Sequence, residues 1–232
     1  MMRHPLPFRL NRNGLLLALI SAAFAGEAGA AAARVDFSVG QVTVTGADGR
    51  PRAIAKGVEL DNGDTVRTTD GRAQLRFTDG AYVSLQPNTE FGISDYRFEG
   101  RTDGSERGFF SLVKGAMRTV TGAIGRVNRP NYKVTTPTAT VGIRGTGGLI
   151  QIQPDGSTLV NGTSGIWSLT NPVGTIDIPA GTSGLAPSAP NTPPQTTSEA
   201  PSAGPAPATT SQQTFTQGDE TTSDGKSESA TT

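Results

Sequence analysis

The stretch Lys56–Pro87, KGVELDNGDTVRTTDGRAQLRFTDGAYVSLQP, decides the fold class. It holds three short β-like runs, each closed by a glycine turn: Asn62-Gly63, Asp70-Gly71 and Asp79-Gly80. In Ala73–Phe77 the residues Ala73, Leu75 and Phe77 fall on one face, and Gln74 and Arg76 on the other. This is the period of two expected of a half-buried strand. The Asp79-Gly80 pair supplies the positive backbone angles of a tight hairpin, and Tyr82–Leu85 returns before Pro87 stops it. The stretch contains no nucleophile, base or metal-ligand cluster.

Working outward, the same rhythm continues. Val42–Val44, Phe91–Phe98, Tyr132–Thr136, Ala139–Ile143, Gly148–Gln153, Ser157–Val160, Ile166–Thr170 and Thr175–Ile178 all read as short strands. Phe109–Val120 reads as two strands around Lys114-Gly115, because a central glycine costs a helix about 1 kcal/mol relative to alanine. Gly100–Gly108 and Thr121–Pro130 read as loops. Strands at intervals of about 8–12 residues with turn signals between them predict an all-β domain, β-solenoid-like or a sandwich. The 30 glycines supply the many turns such a domain needs. A weak internal echo links LRFTDGAYVSL (75–85) to IQIQPDGSTLV (150–160); it reads as two unrelated hairpins of the same kind, with two units stacked as successive rungs the less favoured alternative.

The two ends read differently. Arg3, Arg9 and Arg12 precede an apolar run, Leu15–Ala25, and the small residues Ala28-Gly29-Ala30 and Ala31-Ala32-Ala33 follow. This is the pattern of a cleavable export signal over residues 1–33. The apolar run falls short of the roughly 20 residues of a membrane-spanning helix, so the expected mature chain has no transmembrane helix. From residue 186 to 232 the text is Pro, Thr, Ser, Gln and Ala, with Phe215 its only aromatic and with Glu199, Asp219, Glu220, Asp224 and Glu228 against Lys226. Such a segment buries too little apolar area to offset its ordering entropy, which predicts a disordered tail. Residues 34–185 remain as a single domain of ordinary length.

Composition excludes several functions. The chain without its leader is near neutral, which argues against nucleic acid as a partner. Cysteine is absent, and the single histidine, His4, lies in the leader. Histidine-based triads, thiol chemistry and the usual zinc sites are therefore unavailable to the mature chain. Neither a cofactor nor a metal is expected. Asp95 and Glu99 lie four apart on one strand face and are the nearest candidate carboxylate pair for glycoside hydrolysis. They flank Tyr96 and Phe98 and read as an exposed edge. Trp167 with Tyr132 and Tyr82 reads either as core or as a sugar platform. Asn161-Gly162-Thr163 reads as a turn that matches a glycosylation acceptor. Asp64 reads as closing its turn with a side-chain-to-backbone bond.

Set in order, Gly57–Thr68 (GVELDNGDTVRT), the Asp79-Gly80 hairpin ending in VSLQP, Tyr132–Thr146 (YKVTTPTATVGIRGT) and Leu159–Gly174 (LVNGTSGIWSLTNPVG) resemble the FecR domain over residues 35–185. That domain is the periplasmic part of ferric-citrate-type regulators. The motif residues Gly63, Asp64, Gly80, Gly142, Arg144, Gly145 and Thr146 carry the resemblance, and all are read as mainly structural. Arg144 is expected to lock two rungs by bonding loop carbonyls or a carboxylate such as Asp64. The resemblance implies an all-β, non-enzymatic envelope domain, in the periplasm or secreted from a Gram-negative bacterium. In complete regulators such a domain follows a cytoplasmic anti-sigma segment and one transmembrane helix, and senses a loaded outer-membrane transporter. This chain shows a leader in place of the cytoplasmic segment and a low-complexity tail at its end, the pattern of a free-standing secreted FecR-like module. Its expected partner is another envelope protein or a second copy of itself. The alternatives are a carbohydrate- or peptidoglycan-binding module on cell-wall glycan and, less supported, an iron- or siderophore-responsive signalling component.

Overall fold

A computed structural model describes residues 31–202. The leader up to residue 30 and the segment from residue 203 onward lie outside the described residues. Sixteen strands form within them: β1 (Ala33–Val39), β2 (Val42–Thr45), β3 (Pro51–Ala53), β4 (Glu59–Leu60), β5 (Thr65–Thr68), β6 (Arg72–Phe77), β7 (Tyr82–Leu85), β8 (Glu90–Arg97), β9 (Arg107–Lys114), β10 (Ala116–Val120), β11 (Tyr132–Thr135), β12 (Thr140–Ile152), β13 (Thr158–Asn171), β14 (Gly174–Pro179), β15 (Ser183–Ala186) and β16 (Gln195–Thr197). One short helix, α1 (Ala123–Val127), and a 3-10 turn at Arg129–Asn131 follow β10. The all-β expectation holds, with α1 inside the segment read as a loop.

The strands make one continuous curled sheet, ordered β3-β2-β5-β8-β9-β11-β12-β10-β7-β6-β1-β4, with β13 beside β12 and then β14, β15 and β16. The long strand β12 organises it. Residues 140–142 of β12 pair with β11, and residues 147–151 pair with β10. Its other side pairs with β13 along both halves. The sheet therefore divides at β12 into two arms. One runs β11-β9-β8-β5-β2-β3 and the other β10-β7-β6-β1-β4.

The arms face each other across the core. Phe77 on β6 lies 5.1 Å from Phe110 on β9 and 5.2 Å from Tyr96 on β8, between ring centroids. Tyr132 on β11 packs edge-on against Phe110, and its hydroxyl lies 3.2 Å from the Thr119 hydroxyl on β10. Offset and edge-to-face aromatic pairs add about 0.5–1.5 kcal/mol each beyond their area burial. Val35, Leu75, Val83 and Met117 from one arm, Val66, Phe91 and Leu112 from the other, and Val141 and Ile150 on β12 between them complete a buried core.

The arrangement is a single curled open sheet with a bridging hairpin. The two echoing segments both form hairpins, β6–β7 and the end of β12–β13, but β10 lies between them. They are not successive rungs, because an alternating run with an Asp-Gly turn specifies a hairpin and not its neighbour.

The folded segment is longer than residues 34–185 at both ends. Ala32 and Ala33 are buried, and Ala33 pairs with Leu60 and Phe77. Beyond residue 185, β16 pairs with β15 and Pro194 is buried. Asn171 Nδ2 donates to the Thr192 carbonyl at 2.7 Å, and the Ser202 amide donates to Gln151 Oε1 at 2.9 Å. Residues 186–202 are thus docked to the fold and not a disordered tail. Composition misjudged them because they are held largely by hydrogen bonds to a sheet edge, which an apolar-burial argument does not count.

Candidate functional site

The bend in the bridging hairpin is built from glycine. The β12–β13 register is regular from Thr140↔Thr170 to Arg144↔Ile166, shifts twice around Gly147, and resumes from Gly148↔Gly162. Such bulges bend a strand and re-aim its side chains. Trp167, fully buried, fills the inside of the bend, and its indole N–H donates to the Ser164 carbonyl at 3.3 Å. A Cβ on Gly148 would overlap the Trp167 ring, and one on Gly145 would overlap the Ser164 carbonyl.

The Arg144-Gly145-Thr146 motif sits on the outside of this bend. Thr121 secures its backbone. The Thr121 hydroxyl donates to the Gly145 carbonyl at 2.7 Å, and the Thr121 amide donates to the Thr146 carbonyl at 3.1 Å. The Thr146 and Ser164 hydroxyls lie 2.6 Å apart. Arg144 itself is exposed, and its guanidinium has no hydrogen-bond or ion-pair partner among the described residues. The expected lock between rungs is absent. Asp64 is instead taken by Arg52, whose Nη1 and Nη2 reach both carboxylate oxygens, and it also accepts the Asp61 amide at 2.9 Å. The turn bond expected of Asp64 therefore forms, with a different arginine from the one expected. The sequence signal for Arg52 was missing, since it lies on β3 with no motif around it.

Two further arginines join Arg144. Arg126 on α1 and Arg129 in the 3-10 turn line the same open hollow, of about 260 Å³, together with Gly125, Gly145, Thr146 and Gly165. Both are exposed, and neither has a carboxylate partner among the described residues. The Asp79-Gly80 hairpin turn positions α1. Asp79 is buried; its carboxylate accepts the Ala81 amide at 3.1 Å and the Ile124 amide at 3.2 Å, while its carbonyl accepts the Ala123 amide at 2.9 Å. The Tyr96 hydroxyl receives the Asp79 amide at 2.9 Å. Burial pushes the Asp79 carboxyl above the usual carboxylate range, partly opposed by these hydrogen bonds. The arginine shelf was not legible as a unit, because Arg126 and Arg129 come from a segment read as a loop and Arg144 from a later strand.

The remaining motif residues serve the backbone. Gly63 turns with φ +87° and donates to the Ile93 carbonyl at 2.8 Å. Gly80 turns with φ +85°. Gly142 lies in regular pairing with Lys133 and Ser168.

The sugar-platform residues do not share a surface. Trp167 and Tyr132 are fully buried, while Tyr82 sits under the Arg76 guanidinium at 5.4 Å. The carboxylate pair is also committed. Asp95 pairs with Arg107, and Glu99 with Arg97 at 2.8 Å and Arg101 at 3.2 Å. The Arg97 hydrogen bond holds Glu99 below its usual range, the opposite of what a general acid needs. Asn161-Gly162-Thr163 lies within β13 and not in a turn; Asn161 Nδ2 donates to the Thr182 carbonyl at 3.1 Å.

Residues 64–165 match the model of the FecR protein family. Over these residues the chain is similar to a FecR domain. The match begins at Asp64, so Arg52 and the rest of its turn lie outside it, and it ends at Gly165, so the three shelf arginines lie inside it, within the wider 35–185 of the expected resemblance. No curated protein matches the chain in sequence. Two crystal structures of an anti-sigma factor candidate from Parabacteroides distasonis ATCC 8503 are similar to it, at 15% identity with TM-score 0.44 and 16% identity with TM-score 0.43. They cover 57% and 56% of this chain, which spans 59% and 57% of theirs. Within the matched residues, Arg144 is exposed beside the register shift of the β12–β13 bend.

Proposed function

We propose that the chain is an exported, non-catalytic FecR module that works by binding another protein in the cell envelope through the Arg126–Arg129–Arg144 shelf. One observation carries the reading. The motif holds its backbone with several hydrogen bonds and leaves its guanidinium without a carboxylate among the described residues. Arginine's planar fork suits recognition of carboxylates and is enriched at interface hot spots. The leader-like pattern over residues 1–33 supports export to the periplasm or beyond, and no helix among the described residues is long and apolar enough to cross a membrane. A glycan ligand has little support, since Trp167 and Tyr132 lie in the core.

The test is crosslinked capture from envelope extract with the wild-type protein and the double variant Arg126→Glu/Arg144→Glu. The expected result is a defined protein recovered with the wild type and reduced at least about tenfold with the variant, since losing charge-paired contacts costs about 1.4 kcal/mol per decade. Equal recovery with both proteins, or retention on purified cell wall without other protein, contradicts the proposal.

A further inference from the structure

We propose that the shelf is occupied, in the absence of a partner, by the chain's own segment Phe215–Glu220 and the acidic residues that follow it. The inference rests on the reading of the shelf as a binding surface, and it adds self-occlusion.

The shelf asks for a specific kind of occupant. Arg126, Arg129 and Arg144 call for carboxylates. Apolar side chains stand beside them: Ile166, the registered partner of Arg144, is 47% exposed, and Val127, next to Arg126, is 64% exposed. Gly125, Gly145, Thr146 and Gly165 line the hollow with the three arginines. The matching ligand is a peptide with an apolar anchor followed by carboxylates.

The chain carries one such segment outside the described residues. In residues 203–232 the only aromatic is Phe215, and Asp219, Glu220, Asp224 and Glu228 stand against the single cation Lys226. The geometry permits the contact. The described chain ends at Ser202, hydrogen-bonded to Gln151 on β12, the strand that carries Arg144. The seven steps from Gln151 to Arg144 along β12 span about 23 Å. The 12 residues between Ser202 and Phe215 reach about 40 Å when extended. An intramolecular segment on such a tether acts at an effective concentration in the millimolar range, enough for a weak ionic contact to be populated. A partner must then displace the tail, so the tail sets a threshold for partner binding. The contact weakens with salt, because its charges are solvent-screened.

The test is arginine footprinting with phenylglyoxal, read by mass spectrometry, on the processed chain with its C terminus intact. It is compared at low salt with the variant Asp219→Asn/Glu220→Gln/Asp224→Asn/Glu228→Gln. These positions lie outside the described fold. Arg126, Arg129 and Arg144 are expected to react about fivefold faster in the variant, while exposed Arg34 and Arg118 keep their rates. Phe215→Ala is expected to give a smaller gain, about twofold. Equal shelf rates in both proteins overturn the proposal, as does a uniform change at all five arginines. Protection that disappears on tenfold dilution also overturns it, since the occupant is then a second copy. The measurement needs no partner, so its failure is separable from failure of envelope capture.

Discussion

Asp70-Gly71 and Asp79-Gly80 are the same dipeptide nine residues apart, and their burial is reversed. In the first, Gly71 is buried and Asp70 exposed; in the second, Asp79 is buried and Gly80 exposed. The difference follows from what each turn joins. Asp79-Gly80 closes a hairpin between β6 and β7 within one arm, whereas Asp70-Gly71 carries the chain from β5 in one arm to β6 in the other. At the crossing the chain runs against the β1–β2 connection. A Cβ on Gly71 would overlap the Val39 carbonyl and stand 2.9 Å from Val42 Cγ2. Gly80 has open space around it and needs only its positive φ. Asp70 accepts one exposed amide, from Gln41, while Asp79 joins the hairpin to α1. One turn depends on its glycine for close approach, and the other depends on its aspartate for a buried network.

The largest effect expected of this contrast is at the crossing. Gly71→Ala is expected to cost about 2–3 kcal/mol by overpacking against backbone, against about 1 kcal/mol for Gly80→Ala from the left-handed conformation alone. Thermal unfolding measures both. A Gly80→Ala loss equal to or larger than that of Gly71→Ala breaks the comparison. The aspartates are expected to rank the other way. Asp79→Ala strands two buried amides and is expected to cost about 2 kcal/mol, and Asp70→Ala about 0.5 kcal/mol. Equal losses in urea titrations of the two variants would contradict the assignment of Asp79 to the α1 network.

A pH dependence sharpens the same point with a smaller effect. Burial raises the Asp79 carboxyl, so the folded chain keeps this proton to higher pH than the unfolded chain. Its contribution to stability is fully present below the unfolded pKa, about 4, and is lost as pH rises through the raised folded value. Glu90, held below its usual range by the Arg67 hydrogen bond, works in the opposite direction, so the whole-protein profile mixes signs. The difference between wild type and Asp79→Asn isolates the Asp79 part. That difference is expected to move in favour of wild type as pH falls from about 7 toward about 4 in calorimetry. Movement toward the variant would remove the buried-carboxyl account.

The strands themselves were legible because their alternation is local. Ala73, Leu75 and Phe77 point inward as the period of two requires, and Gly115 separates β9 from β10 as its position in the run implied. The pairing of those strands was not legible. An Asx-Gly turn looks the same whether it returns the chain to its neighbour or sends it across the core, and Asn62-Gly63 and Asp70-Gly71 do the second. The site shows the same limit. Arg144-Gly145-Thr146 stood out as a motif, but its surroundings depended on a register shift opposite Ser164 and Gly165 and on Arg126 and Arg129 arriving from α1 and the turn after it. The partner of Asp64 was similarly a matter of which strand lies beside the turn. Short-range pattern therefore identified elements, and long-range packing assigned their jobs.

Glycine and Trp167 build the bend, and Arg144 stands exposed on its outside. Thermal unfolding of Arg144→Ala beside Gly148→Ala tests this most directly. Gly148→Ala drives a methyl into the Trp167 ring and is expected to lower the Tm by on the order of 5–10 °C. Arg144→Ala removes an exposed side chain with no ion-pair partner among the described residues and is expected to leave Tm within about 2 °C of wild type. A fall for Arg144→Ala as large as that for Gly148→Ala would make the arginine a structural lock and contradict the account.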